Sequence, residues 1–233
     1  MALVTITPKE IGDKPGVSGK IGASLETKRG NTHKDNYKAA LQLAYDNNTT
    51  SIIWLDLSGS YGESNDVKNT NKLYSHLRYI HALSDEDIRA EAFAQIQDDE
   101  FKLLERRMLG GAGLRYRMLD SKDYGSAYFG LGAFYENIEY TSDDPHENNV
   151  RISSYFAYTI PFMEASKFTY SLFYQPKIDD FADTVQSHIA QLKLRIYKKL
   201  FLNFRISYAL DSKPPAGVEK YDFTQVTAFL FEF

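Results

Sequence analysis

The sequence predicts an all-β protein: a closed antiparallel transmembrane β-barrel of about twelve strands, with short periplasmic turns and longer extracellular loops. Three observations predict this fold. The last stretch of the chain alternates in polarity and ends on an aromatic residue. Similar alternating runs recur along the whole sequence, and the polar connections between them alternate in length.

The C-terminal stretch, residues 221–233, reads YDFTQVTAFLFEF and has a period of two, which indicates a strand. An exposed aromatic ladder on an unpaired strand would be a sticky edge. The ladder is compatible with a stable protein if the strand pairs with the first strand and its outer face meets lipid. We therefore predict a membrane-insertion signal here, by which the C-terminal strand meets the barrel-assembly machinery. Its residues are Tyr221, Phe223, Phe229, Phe231 and Phe233.

The alternating runs are long enough for a tilted strand to cross a membrane, which takes about 9–11 residues. We predict strands over residues 17–28, 36–46, 50–61, 72–83, 88–97, 105–119, 126–140, 150–162, 167–175, 184–197, 201–210 and 221–233.

The connections support this order of strands. Tight turns are predicted at 46–49, 84–87, 120–125, 164–166 and 198–199. Longer loops rich in Asp, Pro and Asn are predicted at 62–71, 98–104, 141–149, 176–183 and 211–220. Bacterial barrels place their short turns in the periplasm and their long loops outside the cell. We therefore expect both termini in the periplasm, with residues 1–16 as an N-terminal tail and residues 17–233 as one barrel domain.

Composition excludes several other classes. Mean hydropathy is −0.42, and no apolar run reaches the length of a membrane-spanning helix. A soluble β-sandwich or a lipocalin-like barrel remains the alternative. The chain has no cysteine, which excludes disulfides and thiolate metal sites. Residues 1–3 do not open a signal peptide, so we expect a mature chain with an added Met1. The net charge of −4 and the absence of a basic aromatic cluster argue against nucleic-acid binding.

Alternation assigns one set of apolar side chains to the lipid face, with Tyr near strand ends forming interfacial girdles. These lipid-facing residues are Leu41, Leu43, Tyr45, Ile53, Leu55, Leu57, Phe129, Leu131, Ala133, Tyr135, Ile152, Phe156, Tyr158, Ile160, Leu192, Leu194, Ile196, Leu202, Phe204, Ile206 and Tyr208. Five glycines cluster on one hairpin, where they favour tight curvature or the close approach of a neighbouring side chain. They are Gly110, Gly111, Gly113, Gly130 and Gly132.

The opposite face is basic although the whole chain is acidic. The predicted pore-lining residues are Lys20, Lys38, Arg78, Arg89, Glu91, Arg115, Arg117, Glu136, Arg151, Lys193, Arg195 and Arg205. Like charges on facing strands cost stability unless they are solvated or meet an anion. The hypothesis is a water-filled pore that prefers small anions, with Lys193, Arg195 and Arg205 as its selective stripe. The alternative is that Arg and Glu, for instance Arg78 with Glu91, fill and brace a barrel without an open pore.

The central block, residues 109–137, resembles a known family. Its LGGAGLRYRMLDSKDYGSAYFGLGAFYEN, the RGNT turn at residues 29–32 and the terminal FLFEF together resemble the domain-of-unknown-function family of salt-induced outer-membrane proteins, the YdiY-like proteins. The most specific pieces are the G-x-G-x-R-Y-R hairpin at residues 111–117 and the G-N-T turn at residues 30–32. The resemblance covers residues 17–233. It implies an outer-membrane barrel of a Gram-negative bacterium with a link to osmotic response, and it carries over no catalytic residues.

Other functions have less support. A hydrolase would need His beside Ser or Asp, and no hydrolase motif surrounds any Ser. The candidate histidines are His33, His76, His81, His146 and His188. The acidic run at 143–147 lacks the spacing of a calcium loop. The loops are short for an adhesin, and the tail is short for an autotransporter passenger. We therefore expect no catalytic site, no metal and no cofactor.

The expected partners follow from this assignment. They are outer-membrane lipid, lipopolysaccharide, the barrel-assembly machinery and small solutes. We expect a monomer in the bacterial outer membrane.

Overall fold

The fold is a single antiparallel sheet, in which each strand pairs with its neighbours in sequence order. A computed structural model describes residues 9–28, 33–84, 87–142, 144–198 and 200–231. Its twelve strands are β1 Gly16–Lys28, β2 Lys34–Asp46, β3 Ser51–Ser64, β4 Val67–Ala82, β5 Ile88–Asp99, β6 Leu104–Ser121, β7 Gly125–Tyr140, β8 Glu147–Met163, β9 Ser166–Pro176, β10 Thr184–Tyr197, β11 Leu200–Asp211 and β12 Tyr221–Phe231. Between β5 and β6 lies a short 3₁₀ helix, η1 Glu100–Lys102.

The predicted all-β class and the antiparallel order are confirmed. In the described part of the chain, no ladder joins β1 to β12, so closure of the sheet into a barrel stays a prediction. The short turns predicted at 46–49, 120–125 and 164–166 are confirmed as brief connections, whereas those predicted at 84–87 and 198–199 include residues outside the described part of the chain. Among the described residues, no helix has both the length and the apolar character that crossing a membrane demands.

The long loop predicted at residues 62–71 is wrong. Strand β3 continues to Ser64 and β4 starts at Val67, so only Asn65 and Asp66 connect them. Both residues adopt positive φ, 49° and 63°. Asn and Asp tolerate this left-handed conformation, which two-residue hairpin turns require. Polar residues on both sides of the turn continue the ladder, and their lack of alternating polarity concealed the strands.

The sheet curls so that one face, here called the inner face, carries the buried side chains. A cluster of buried apolar residues joins β3 and β4 to β8, β9 and β10 across this face. Its members are Ile52, Trp54, Ile80, Tyr155, Phe173 and Val185. Strands that are distant in the sheet order therefore meet through their side chains, which requires strong curvature.

The predicted lipid-facing residues lie on the opposite, outer face. Leu43 pairs with Leu55, and Phe129 pairs with Phe156, away from the buried clusters. Large apolar side chains on this face are exposed, such as Leu131 at 54%. Contact of these side chains with lipid stays a prediction.

Four of the five glycines lie on the inner face, where two of them make room for aromatic rings. A Cβ added at Gly130 would stand 2.0 Å from the ring of Tyr155, and one at Gly111 would stand 2.7 Å from the ring of Phe93. Gly113 and Gly132 pair directly across β6 and β7. The predicted close approach of a neighbouring side chain is therefore confirmed at Gly130.

We expect Gly130→Ala to destabilise the protein by about 1–3 kcal/mol, because the methyl group overpacks against Tyr155. Gly110→Ala is the matched control, since a Cβ there meets nothing closer than 3.9 Å. Urea unfolding of both variants in detergent micelles measures the difference. Equal unfolding midpoints for the two variants would contradict this account of Gly130.

Candidate functional site

The inner face carries the residues predicted to line a pore. By strand register, Arg78 lies between Trp54 and Phe93, and Arg205 lies between Gln191 and Val226. The same parity places the remaining predicted positions on this face. They are Lys38, Arg89, Glu91, Arg115, Arg117, Glu136, Arg151, Lys193 and Arg195. Lys20 pairs with Gln42 in the ladder, and its side chain lies outside the described part of the structure.

The carboxylate of Glu91 gathers three side chains from three other strands. Arg78 Nη1 donates to Glu91 Oε2 at 3.1 Å, and Arg115 Nε lies 3.4 Å from Glu91 Oε1. The hydroxyl of Tyr155 donates to Glu91 Oε1 at 2.8 Å from across the inner face. Aromatic rings flank both guanidinium groups: Phe93 lies 4.8 Å from Arg78, and Tyr128 lies 4.9 Å from Arg115. The Arg78–Glu91 pair that the sequence suggested is present.

A second carboxylate, Glu136 on β7, is fully buried between two arginines. Arg107 Nε donates to it at 2.8 Å and Arg151 Nε at 2.6 Å. Arg151 also binds Asp183 Oδ1 at 2.8 Å, which ties the β9–β10 loop to the sheet. Two buried cations and one buried anion leave a positive charge that Asp183 offsets, so the network satisfies its charges internally.

Sequence reasoning missed Arg107. It has the parity of Arg115 and Arg117, and extending the alternation of β6 backward would have placed it on the inner face. Residues 105–107 lie within the strand predicted over 105–119, but Arg107 was not included among the inner-face residues. Arg107 is fully buried, with 0% of its surface exposed, so the charged part of the interior extends along β6 as far as this residue.

A buried polar chain continues the inner face toward the long loops. His76 Nδ1 lies 3.2 Å from Gln95 Oε1, and the Tyr74 hydroxyl donates to the same oxygen at 3.3 Å. Gln95 Nε2 in turn donates to Gln97 Oε1 at 2.8 Å. His76 therefore takes part in an amide network.

The other histidines have different surroundings. His81 meets the Tyr79 hydroxyl at 3.2 Å, and His188 meets the Tyr170 hydroxyl at 2.9 Å, both on the outer face. Within the described ranges, no histidine ring hydrogen-bonds to Ser, Asp or Glu, and no cluster of His, Asp or Glu suits a metal ion.

The three residues of the predicted cationic stripe, Lys193, Arg195 and Arg205, have different surroundings. Arg195 Nη1 donates to Glu164 Oε1 at 2.5 Å in the adjacent turn. Lys193 Nζ lies 4.1 Å from the centroid of the Phe201 ring. Arg205 forms no ion pair with any residue that the structure describes. Of the three residues, Arg205 is the one whose charge faces open space.

That space is a cavity of about 930 Å³ in the half of the sheet nearest the long loops. Its walls come from β1 to β5 on one side and β10 to β12 on the other. Its charged lining residues are Lys38, Lys72, Asp98, Asp99, Lys102, Arg205 and Asp222. Lys102 binds Asp222, and Asp98 accepts the Leu73 amide at 2.8 Å. Apart from the Lys102–Asp222 pair, Lys38, Lys72 and Arg205 outnumber the two carboxylates of Asp98 and Asp99.

Two loops meet above this region. Ser212 Oγ donates to the Ala182 carbonyl at 2.8 Å, and Lys213 binds the carboxylate of Asp180. The hydrogen bond from Lys213 lowers the pKa of Asp180 below its usual value. A carboxyl with a lowered pKa favours the folded contact at neutral pH and loses that contribution as pH falls through the lowered value.

A twelve-stranded antiparallel sheet with an apolar outer face and an ionic inner face is compatible with an outer-membrane barrel. The family is clear: the model of DUF481, a family described as protein of unknown function, matches residues 21–233, and the chain belongs to it. This confirms the resemblance to a domain-of-unknown-function family, and the YdiY-like label is consistent with it. A search of curated proteins found no match to the chain.

We expect Glu136→Gln to destabilise the protein by about 3–5 kcal/mol, because it leaves Arg107 and Arg151 buried without their anion. Glu139→Gln is a matched control on the same strand. It breaks the ion pair with Arg106, whose side chain is 52% exposed, and exposed pairs contribute about 0–1 kcal/mol. Urea unfolding midpoints of the two variants test the difference. A loss at Glu136 no larger than that at Glu139 would contradict the bracing role of the buried network.

Proposed function

We propose that this protein is a β-barrel of the bacterial outer membrane, through whose lumen small anionic solutes diffuse passively. The observation that carries the proposal is the cavity of about 930 Å³, where Lys38, Lys72 and Arg205 face open space. Cations that outnumber the carboxylates on an inner wall favour anions as visiting ions.

The outer face supports the membrane location. From Tyr37 to Tyr45 on β2 and from Ile53 to Tyr61 on β3, no outward position carries a charge. Tyrosines lie near the strand ends, where Tyr37 and Tyr61 have ring centroids 6.3 Å apart on the long-loop side. An uncharged band with tyrosines at its edge is typical of barrels that meet lipid.

Closure of the sheet is the structural requirement of this proposal. The ion pair between Lys102 and Asp222 already connects the segment after β5 to the last strand. The cavity is bounded by residues of β1 and of β12, such as Ser24 and Thr224. Pairing of β1 with β12 would satisfy the backbone groups of both edges, as lipid demands.

The last strand supports the proposed contact with the barrel-assembly machinery. Tyr221, Phe223 and Phe229 are exposed at 57%, 59% and 71% on one face of β12. The side chain of Phe231 and the whole of Phe233 lie outside the described residues. We further propose lipopolysaccharide as the partner outside the membrane and a monomer as the functional state.

A second candidate function is a barrel that conducts nothing and serves as a structural or osmotic-stress protein. The networks around Glu91 and Glu136 favour it, because they fill part of the inner face with buried, ion-paired side chains. The apolar cluster that includes Trp54 and Tyr155 fills more of the same face.

Single-channel recording of the refolded protein in a planar bilayer distinguishes the two candidates. We expect discrete conductance steps, and a reversal potential in a salt gradient that indicates anion preference. Arg205→Gln and Lys38→Gln are expected to move the reversal potential toward zero, since they remove charge from the lining. Lys220→Gln, in the loop before β12, is the control and is expected to change nothing. Cation preference would refute the basic-lumen account, and a folded barrel without current would favour the structural candidate.

A further inference from the structure

The segment before β1 folds back over the inner face. Arg115 Nη2 donates to the carbonyl of Lys9 at 3.2 Å, and Arg115 lies 3.9 Å from the Glu10 carboxylate. Lys9 Nζ lies 4.9 Å from the centroid of the Trp54 ring. Ile11 packs against the apolar cluster on the inner face, and the amide of Gly12 donates to Asp46 Oδ2 at 2.7 Å.

These contacts span the end of the sheet where the short turns lie. Asp46 is the last residue of β2, and Trp54 lies near the start of β3. Arg115 lies in the half of β6 that leads to β7 and pairs with Arg89, near the start of β5. A segment that touches β2, β3 and β6 together crosses the inner face and does not extend away from it.

The contacts also differ in kind, and each uses a group that the sheet leaves available. Arg115 reaches Glu91 with Nε and the tail with Nη2. Asp46, which is 1% exposed, accepts the Asn48 amide with Oδ1 and the Gly12 amide with Oδ2. A buried carboxylate with both oxygens occupied in this way fixes the position of the tail.

We infer that residues 9–12 are a plug that closes the short-turn end of the lumen and that must move for a solute to pass. The inference on passage rests on the proposed pore, whereas the docking of the plug does not. The plug is tied to the lumen network through Arg115, because the same guanidinium contacts Glu91 and the plug.

Thiol labelling tests docking without any measurement of current. The chain has no cysteine, so Ile11→Cys and Lys14→Cys each introduce a unique thiol. Ile11 is partly buried against the apolar cluster, and Lys14 is exposed. With a hydrophilic maleimide on the refolded protein in vesicles, we expect Cys at position 11 to react at least about tenfold more slowly than Cys at position 14.

Release variants complete the test. Lys9→Ala combined with Glu10→Ala removes the contact with Trp54 and the carboxylate near Arg115, and it changes no residue of the sheet. Asp46→Ala changes the sheet instead of the plug, and it removes the carboxylate that accepts the Gly12 amide. Either change is expected to raise labelling at position 11 to the rate at position 14. Equal rates at the two positions before any release would overturn the plug.

Conductance separates this inference from the proposed pore. If both hold, the release variants increase the open probability relative to the unmodified protein. Steps of unchanged open probability would overturn the plug and leave the pore standing. Protected labelling that the variants relieve, without current in any variant, would support a docked plug and refute the pore. Circular dichroism of each variant verifies that the sheet is retained.

Discussion

The pairing of buried carboxylates with arginines is the interaction on which the inner face depends. Glu136 lies between Arg107 and Arg151, and Glu91 lies between Arg78 and Arg115. An arginine buried on a curled sheet without a counter-ion would cost several kcal/mol. Each carboxylate contacts arginines from two strands, and Asp183 supplies a further negative charge beside Arg151. These ion pairs reduce the repulsion among the four buried arginines.

Alternation of polarity predicted most of the fold. The period of two places a side chain on one face or the other, and a single error in register would have reversed every assignment. The positions of Arg78, Arg115 and Arg205 on the inner face therefore followed from sequence alone. The turn at Asn65–Asp66 did not, because polar residues pair in a ladder as well as apolar ones and only their backbone conformation reveals the turn.

The interior of the site was less predictable, for a physical reason. Alternation says which face a residue occupies, whereas neutralisation depends on which strands the curvature brings together. Tyr155 reaches Glu91 from three strands away, and Gly130 leaves the space for its ring. Arg195 is a second example. The sequence grouped it with Lys193 and Arg205, but its partner Glu164 lies in the turn between β8 and β9.

The inner face has two parts that differ in whether their charged side chains form ion pairs. Strands β4 to β8 carry the arginines that form ion pairs with Glu91 and Glu136, and these buried pairs brace this wall. Two of the cations that face open space lie on β2 and β11, beside the first and last strands, and the third lies on β4. In a closed barrel, the joining of β1 to β12 would draw Lys38 and Arg205 toward one another across the cavity. Closure would then raise the local positive potential where solvent remains, so the same step that completes the barrel would also strengthen the anion preference that we propose.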